Sequence, residues 1–167
     1  GLSDTTLYLN VSAHTIMHQE FCKIFSRFVE ENNSKENEFG LEITETAELE
    51  DTKQAGESLE RLKKRGIKIA LDDFGAGYAS LKYIRDLPID VVKLDRHFTS
   101  NISDPSTSRL IKFVSDVCAE LNLEMIGEGI ETEKEKNMMI ELGCLTGQGF
   151  LMHMPSFIEA VSYTHLR

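Results

Sequence analysis

The sequence predicts an α/β domain built on a parallel sheet, and three observations carry that prediction. Strand-like and helix-like stretches alternate along the whole length. Nearly every strand-like stretch ends in a carboxylate, an amide or an amine. No glycine-rich dinucleotide fingerprint and no phosphate loop interrupts the series, which weakens a doubly wound nucleotide-binding sheet against a closed barrel.

The elements follow in chain order. "LYLNVS" (Leu7 to Ser12) alternates apolar and polar residues as a half-buried strand does. Met17, Phe21, Ile24, Phe25 and Phe28 then recur at helical spacing. "FGLEIT" is the second strand. Thr52 to Arg65 reads as a helix with Ala55, Leu59 and Leu62 on one face, stopped by Gly66. "IKIALDD" is the third strand, Ser80 to Asp86 a short helix ending before Pro88, and "VVKLD" the fourth strand. Asp104 followed by Pro105 is an N-cap with proline at the first helical position, opening a helix with Leu110, Val114, Val117 and Leu121 inward. "LEMIGEG" is the fifth strand. Thr132 and Glu135 have the spacing of a capping box for a helix that ends at Gly143. "GQGFL" is the sixth strand, and Pro155 to Val161 begins a final helix.

Bulk properties bound the function. At 167 residues the chain is one domain, or a piece of one, with 41% hydrophobic residues, as in ordinary soluble globular chains. A net charge of −10 argues against a nucleic-acid polymer or an anionic membrane surface as partner. It leaves room for a small phosphate ligand, because clustered carboxylates hold metals that invert the local field. Cys22, Cys118 and Cys144 are odd in number and scattered, which points to a reducing compartment without a disulfide framework. With no signal peptide and no long apolar run, this segment is expected in the cytoplasm, alone or as the cytoplasmic part of a larger protein.

The polar strand ends are Asn10, Glu42, Asp72 with Asp73, Lys93, Glu128 and Gln148. Each has a bland reading by itself: Asn10 as a turn residue, Glu42 as a solvated carboxylate, Asp72 and Asp73 as an N-cap and its neighbour. Together they match the rim of a (β/α)₈ barrel, where the carboxyl ends of the strands carry the chemistry. Adjacent strand residues point to opposite faces, so only a strand that ends or kinks at Asp72-Asp73 can aim both at one centre. Lys93 follows two valines, and a buried lysine requires a carboxylate or an anionic ligand. Oxygen donors without histidine or cysteine suit Mg²⁺ or Mn²⁺ rather than zinc. His14, His18, His97, His153 and His165 follow no ligand spacing. Carboxylates with one amide and one lysine fit two-metal phosphoryl chemistry, with the lysine stabilising developing charge or orienting water.

A longer likeness joins these residues. "LNVSAHTI", "LEITETAEL", "IALDDFGAGYASLKYIRDLPIDVVKLDR", "IGEGIETEKEKNMMIELGCLTGQGF" and "MP" resemble, in order, the successive motifs of the EAL-domain family, from about Leu7 to Pro155. That family comprises cyclic di-GMP phosphodiesterases on a modified (β/α)₈ barrel. The resemblance implies that Asn10, Glu42, Asp72 and Asp73 are metal ligands, that Lys93 orients the nucleophilic water, and that Glu128 and Gln148 are the further acid and amide of the site. Glu45 resembles the glutamate that anchors the loop after the paired aspartates, and Glu131 is assigned beside it as a supporting residue. Two Mg²⁺ or Mn²⁺ ions and cleavage of cyclic di-GMP to linear pGpG are implied with them.

The chain departs from the pattern in one functional position. No Glu-Ala-Leu motif precedes these strands; Glu159-Ala160-Val161 follows the last one. By the resemblance, the chain begins at the third strand and makes a partial barrel of six βα units with the first strands missing. Leu9 and Val11 are then expected to face solvent at the gap. Ala76 and Gly127 replace commoner residues without removing a functional group. Residues 1–160 are assigned to the partial barrel and 161–167 to a possible non-native tail, since "VSYTHLR" breaks the amphipathic pattern. The parent domain reads as a phosphodiesterase, and the truncated chain as weakly active or inactive. The alternative is a non-catalytic cyclic di-GMP receptor or protein-interaction module; the intact aspartate, lysine and glutamate motifs favour the enzyme. A homodimer and an attached cyclase or sensory domain are the partners the resemblance implies.

Overall fold

The structure is a computed structural model that describes residues 5–32, 37–44, 51–76, 80–152 and 164–165. It divides into two compact units, residues 1–72 with 77–90, and residues 73–76 with 91–167. The division falls inside the third strand, between Asp72 and Asp73.

In the first unit, β1 (Thr5–Val11), β2 (Asn37–Thr44) and β3 (Lys68–Phe74, to Asp72 in this unit) pair in parallel and in sequence order. Gly40 to Ile43 and Ile69 to Leu71 are uninterrupted buried runs, as a strand covered on both faces requires. The connections are α1 (Ala13–Met17) with α2 (Gln19–Asn32), and α3 (Thr52–Lys63). α3 starts on Asp51, whose carboxylate accepts from Gln54 N at 2.9 Å, and buries Ala55, Leu59 and Leu62 as its periodicity predicts. The chain leaves it through Gly66, in the left-handed region at φ 82°. α2 buries Cys22, Phe25 and Val29, while Ile24 and Phe28 are exposed. Phe28 stands edge-on to Phe39 of β2 with ring centres 5.3 Å apart, so part of its ring is covered from the sheet side.

After α4 (Ser80–Asp86) the chain is tied back to β3. Asp90 accepts from Ile69 N at 2.9 Å, its own N–H donates to Ile69 O at 2.8 Å, and Lys63 reaches its other oxygen at 2.7 Å. That anchor fixes where the paired aspartates fall along the strand. Leu9 is 46% exposed on β1, as expected, but Val11 is buried. Val11 lies opposite Ile43, itself fully buried, at the last pair of the β1–β2 ladder.

The second unit repeats the pattern with β4 (Val91–Leu94), β5 (Glu124–Gly127) and β6 (Thr146–Gly147), again parallel and in order. A short strand not foreseen, β7 (Thr164–His165), pairs antiparallel with β6. The connections are α5 (Arg96–Ser100), α6 (Pro105–Glu120) and α7 (Glu133–Glu141). Asp104 caps α6 through Ser106 N at 3.1 Å and Thr107 N at 2.9 Å. Thr132 and Glu135 form the capping box of α7, at 3.2 and 2.9 Å.

Two expectations are corrected in this unit. α6 buries Ile111, Val114 and Cys118, while Leu110 and Leu121 are 54% and 52% exposed. A helix carrying apolar residues on more than one face has no single amphipathic solution, and packing chose the Ile111 face. The sixth strand is only Thr146–Gly147, so Gln148 stands one residue beyond it, just before a turn. The helix expected from Pro155 lies outside the described residues. Among the described residues, no helix is long and apolar enough to cross a membrane.

Candidate active site

In the first unit, strand register alone gathers the polar residues. Asn10 and Glu42 are direct partners across β1 and β2, and Asp72 is the partner of Thr44, two residues past Glu42. Residues two apart on a strand share a face, as do partners across a ladder. Asn10, Glu42 and Asp72 therefore occupy one face near the carboxyl ends of their strands. Leu41, Ile43 and Leu71 fill the other, all fully buried. Glu42 is 6% exposed and Asn10 is open to solvent.

Asp73 begins the second unit with φ 54°, in the left-handed region that aspartate tolerates better than most residues. This is the kink that the adjacent aspartates demanded. The turn closes with Ala76 N donating to Asp73 O at 3.0 Å. A carboxylate oxygen of Asp73 lies within 4.8 Å of one of Glu128.

Lys93 and Glu128 meet because of the β4–β5 register. Lys93 pairs with Ile126, so Glu128, two residues on, shares its face. Lys93 is 4% exposed, and its Nζ is 2.8 Å from Glu128 Oε1. The same oxygen accepts from the Gln148 amide. Burying a lysine costs several kcal/mol unless a counter-charge and hydrogen bonds compensate it, and Glu128 supplies both.

The backbone holds these groups as firmly as the side chains do. Glu128 N donates to Leu94 O at 3.2 Å, Gln148 N to Gly127 O at 2.9 Å, and Ile130 N to Gln148 O at 3.1 Å. A side chain at position 149 would collide with the backbone N and O of Ile130, so only glycine fits there.

Glu131 does not join this network. Its carboxylate pairs with Arg96 at 3.6 Å near the surface, and its N–H donates to Glu135 at 2.8 Å. Glu45 lies outside the described residues. Arg96, three residues past Lys93, was not singled out from the sequence; nothing in its local pattern separates it from a solvated arginine. That Lys93 needed a carboxylate was legible, whereas its pairing with Glu128 depends on long-range register.

The donor set is all oxygen, which fits a hard divalent cation. Asp73 and Glu128 are close enough for one ion to span, while Lys93 and Gln148 hold the acid in place from behind.

Comparison with known proteins places the chain in a family. The EAL domain model matches residues 2–155. The chain is 33% identical over 154 residues to the cyclic di-GMP phosphodiesterase PA2567 of Pseudomonas aeruginosa, covering 92% of this chain and 26% of that protein. To the probable cyclic di-GMP phosphodiesterase PdeI of Escherichia coli it is 32% identical over 152 residues, covering 91% and 19%. The chain thus spans about a fifth to a quarter of the length of these curated relatives.

Among solved structures, the EAL domain of Mycobacterium smegmatis DcpA matches with a TM-score of 0.83 at 30% identity, covering 90% of this chain and 68% of that one. Klebsiella pneumoniae BlrP1, solved with manganese and cyclic di-GMP, matches with a TM-score of 0.79 at 25% identity, covering 87% and 38%. The parallel α/β architecture of the two units is therefore that of the TIM-barrel-like EAL structures. With the motifs, the strand register and the family match in agreement, this chain belongs to the EAL-domain family.

Proposed function

We propose that the chain carries the working face of a phosphodiesterase that hydrolyses cyclic di-GMP to linear pGpG. The observation that carries this reading is the network of buried Lys93 with half-buried Glu128 and Gln148 beside Asp73. In this reading Asn10, Glu42, Asp72 and Asp73 hold two Mg²⁺ or Mn²⁺ ions. When bound, the ions would lower the pKa of a water and offset charge on a phosphate oxygen. BlrP1, with its manganese and cyclic di-GMP, supports both assignments by likeness.

The protein's own groups account for the remainder. Glu128 and Gln148 fix the Lys93 ammonium, which directs its other protons toward the attacking water and the charge that develops on phosphate. Water adds to phosphorus, the ester bond to a ribose 3′ oxygen breaks, and the proton released by the water ends on that oxygen. The other phosphodiester stays intact, leaving a linear dinucleotide with a 5′-phosphate. Glu45 and Glu131 are proposed to support the loops around the site, Glu131 through Arg96.

The wider context is proposed with it: a cytoplasmic protein, an attached cyclase or sensory domain, and a homodimer. The exposed Leu110, Phe113 and Leu121 of α6 support the last. The 167-residue chain alone is expected to turn over weakly or not at all.

The test is metal-dependent cleavage of cyclic di-GMP by the protein that carries this chain, with products separated by chromatography. Asp73→Asn keeps the size and the tolerated backbone, so its loss of activity reports charge. Lys93→Ala is expected to lower kcat by about 10²–10³ with metal affinity little changed. Cleavage by both variants at the parent rate would overturn the reading, and tight binding of cyclic di-GMP without turnover by the parent would establish the receptor alternative.

A further inference from the structure

We infer that the groove between α2 and α3 is a second binding site, for a polyphosphate anion of nucleotide size. The groove is an open depression of about 880 Å³, large enough for a small molecule. Lys23, Arg27, Arg61, Lys64 and Arg65 line it, against a single lining carboxylate, Glu30. Five of the chain's 18 lysines and arginines thus meet in one depression of a protein whose net charge is −10.

Local needs account for only part of this cluster. Arg65 is paired with Glu30, and Lys23 lies 3.9 Å from Glu20 at the surface. Arg61 and Lys64 sit in or after the last turn of α3, where cations offset the negative helix end. Arg27 lies in the middle of α2, where no helix end calls for it. Among the described residues, no carboxylate lies within ion-pair distance of Arg27, Arg61 or Lys64.

Five exposed cations gathered in one depression make a local positive field that attracts an anion, although solvent screens their mutual repulsion. Guanidinium pairs recognise phosphate through two parallel hydrogen bonds, which a lone lysine cannot reproduce. Leu62 and Cys22 form the buried floor of the groove, beneath the basic side chains. All the lining residues belong to the first unit, and none is among the residues proposed for catalysis.

Isothermal titration of the protein with inorganic pyrophosphate and with guanosine 5′-diphosphate, in EDTA to suppress metal-dependent binding, tests the site. Saturable binding that weakens with salt is expected, because released counterions drive it. Arg27→Gln with Lys64→Gln should weaken it at least about tenfold, the loss expected for removing charge-assisted hydrogen bonds. Asp73→Asn should leave it unchanged, which separates this groove from the proposed catalytic face. Tighter binding of the diphosphate than of pyrophosphate would assign a nucleotide, and equal binding a free polyphosphate; either result supports the anion site. No saturable binding, or binding that survives the double substitution, would overturn it.

Discussion

The two units bring polar side chains to strand ends by different means. In the first, Asn10, Glu42 and Asp72 share a face because three regular strands keep their register. In the second, Asp73 stands on a left-handed residue, Gln148 sits past the end of a two-residue strand, and Lys93 is buried against Glu128. Regular pairing makes the solvent-open Asn10 of the first set tolerant, since its side chain can change without disturbing the ladder. The second set is interlocked: Lys93, Glu128 and Gln148 hold one another through an ion pair and a hydrogen bond on one carboxylate oxygen. Tolerance and interlocking predict different responses to substitution.

The largest difference should come from removing one charge of the Lys93–Glu128 pair. Lys93→Met leaves the half-buried Glu128 without its cation and should cost about 3 kcal/mol in urea unfolding. Asn10→Ala, in the first set and open to solvent, should stay within about 0.5 kcal/mol. Equal losses for the two would break the comparison.

A smaller effect is expected from Gly149→Ala, which forces a methyl group against the Ile130 backbone. It should cost about 1–3 kcal/mol, as overpacking does, and should displace Gln148. An unchanged denaturation midpoint would mean that this turn yields without cost.

The smallest effect is one of reactivity. Burial pushes the Cys118 thiol up to about 11 and the Cys144 thiol up to about 12, so neither ionises at pH 8. Burial also raises Cys22, with the nearby Arg61 offsetting part of the rise. Since the thiolate is the reacting form, Cys22 of the first unit should react with Ellman's reagent first and the other two only on unfolding. The signs also predict alkaline loss of stability. The neutral thiols contribute fully below the ordinary cysteine pKa, and that contribution is lost as pH rises toward 11–12. Simultaneous labelling of all three at pH 8 would contradict this order.

Most of the fold was legible because its signals are local. The Asp104-Pro105 start, the Thr132/Glu135 capping box and the short helix before Pro88 are each decided within about one turn of chain. What failed was decided at a distance. Leu110 and Leu121 satisfied helical spacing as well as Ile111 and Cys118 did, and only packing could choose between those faces. "GQGFL" has the composition of a strand, yet backbone bonds from Ile130 and Leu151 turn it after Gly147. For the site, the residue types at the strand ends were legible and the network joining them was not. Lys93 announced a need for a carboxylate, but choosing Glu128 takes the β4–β5 register, which no single stretch of sequence contains.

The left-handed backbone at Asp73 narrows what this position can become as the sequence drifts. Valine, leucine and most other residues would be strained there whatever their chemistry, while asparagine and glycine fit the conformation. One nucleotide change in an aspartate codon reaches either of them. The easiest escape from aspartate is therefore a folded domain with its charge removed. A lineage can lose the carboxylate without losing the protein, and a chain retaining aspartate at 73 testifies to selection on chemistry rather than on shape.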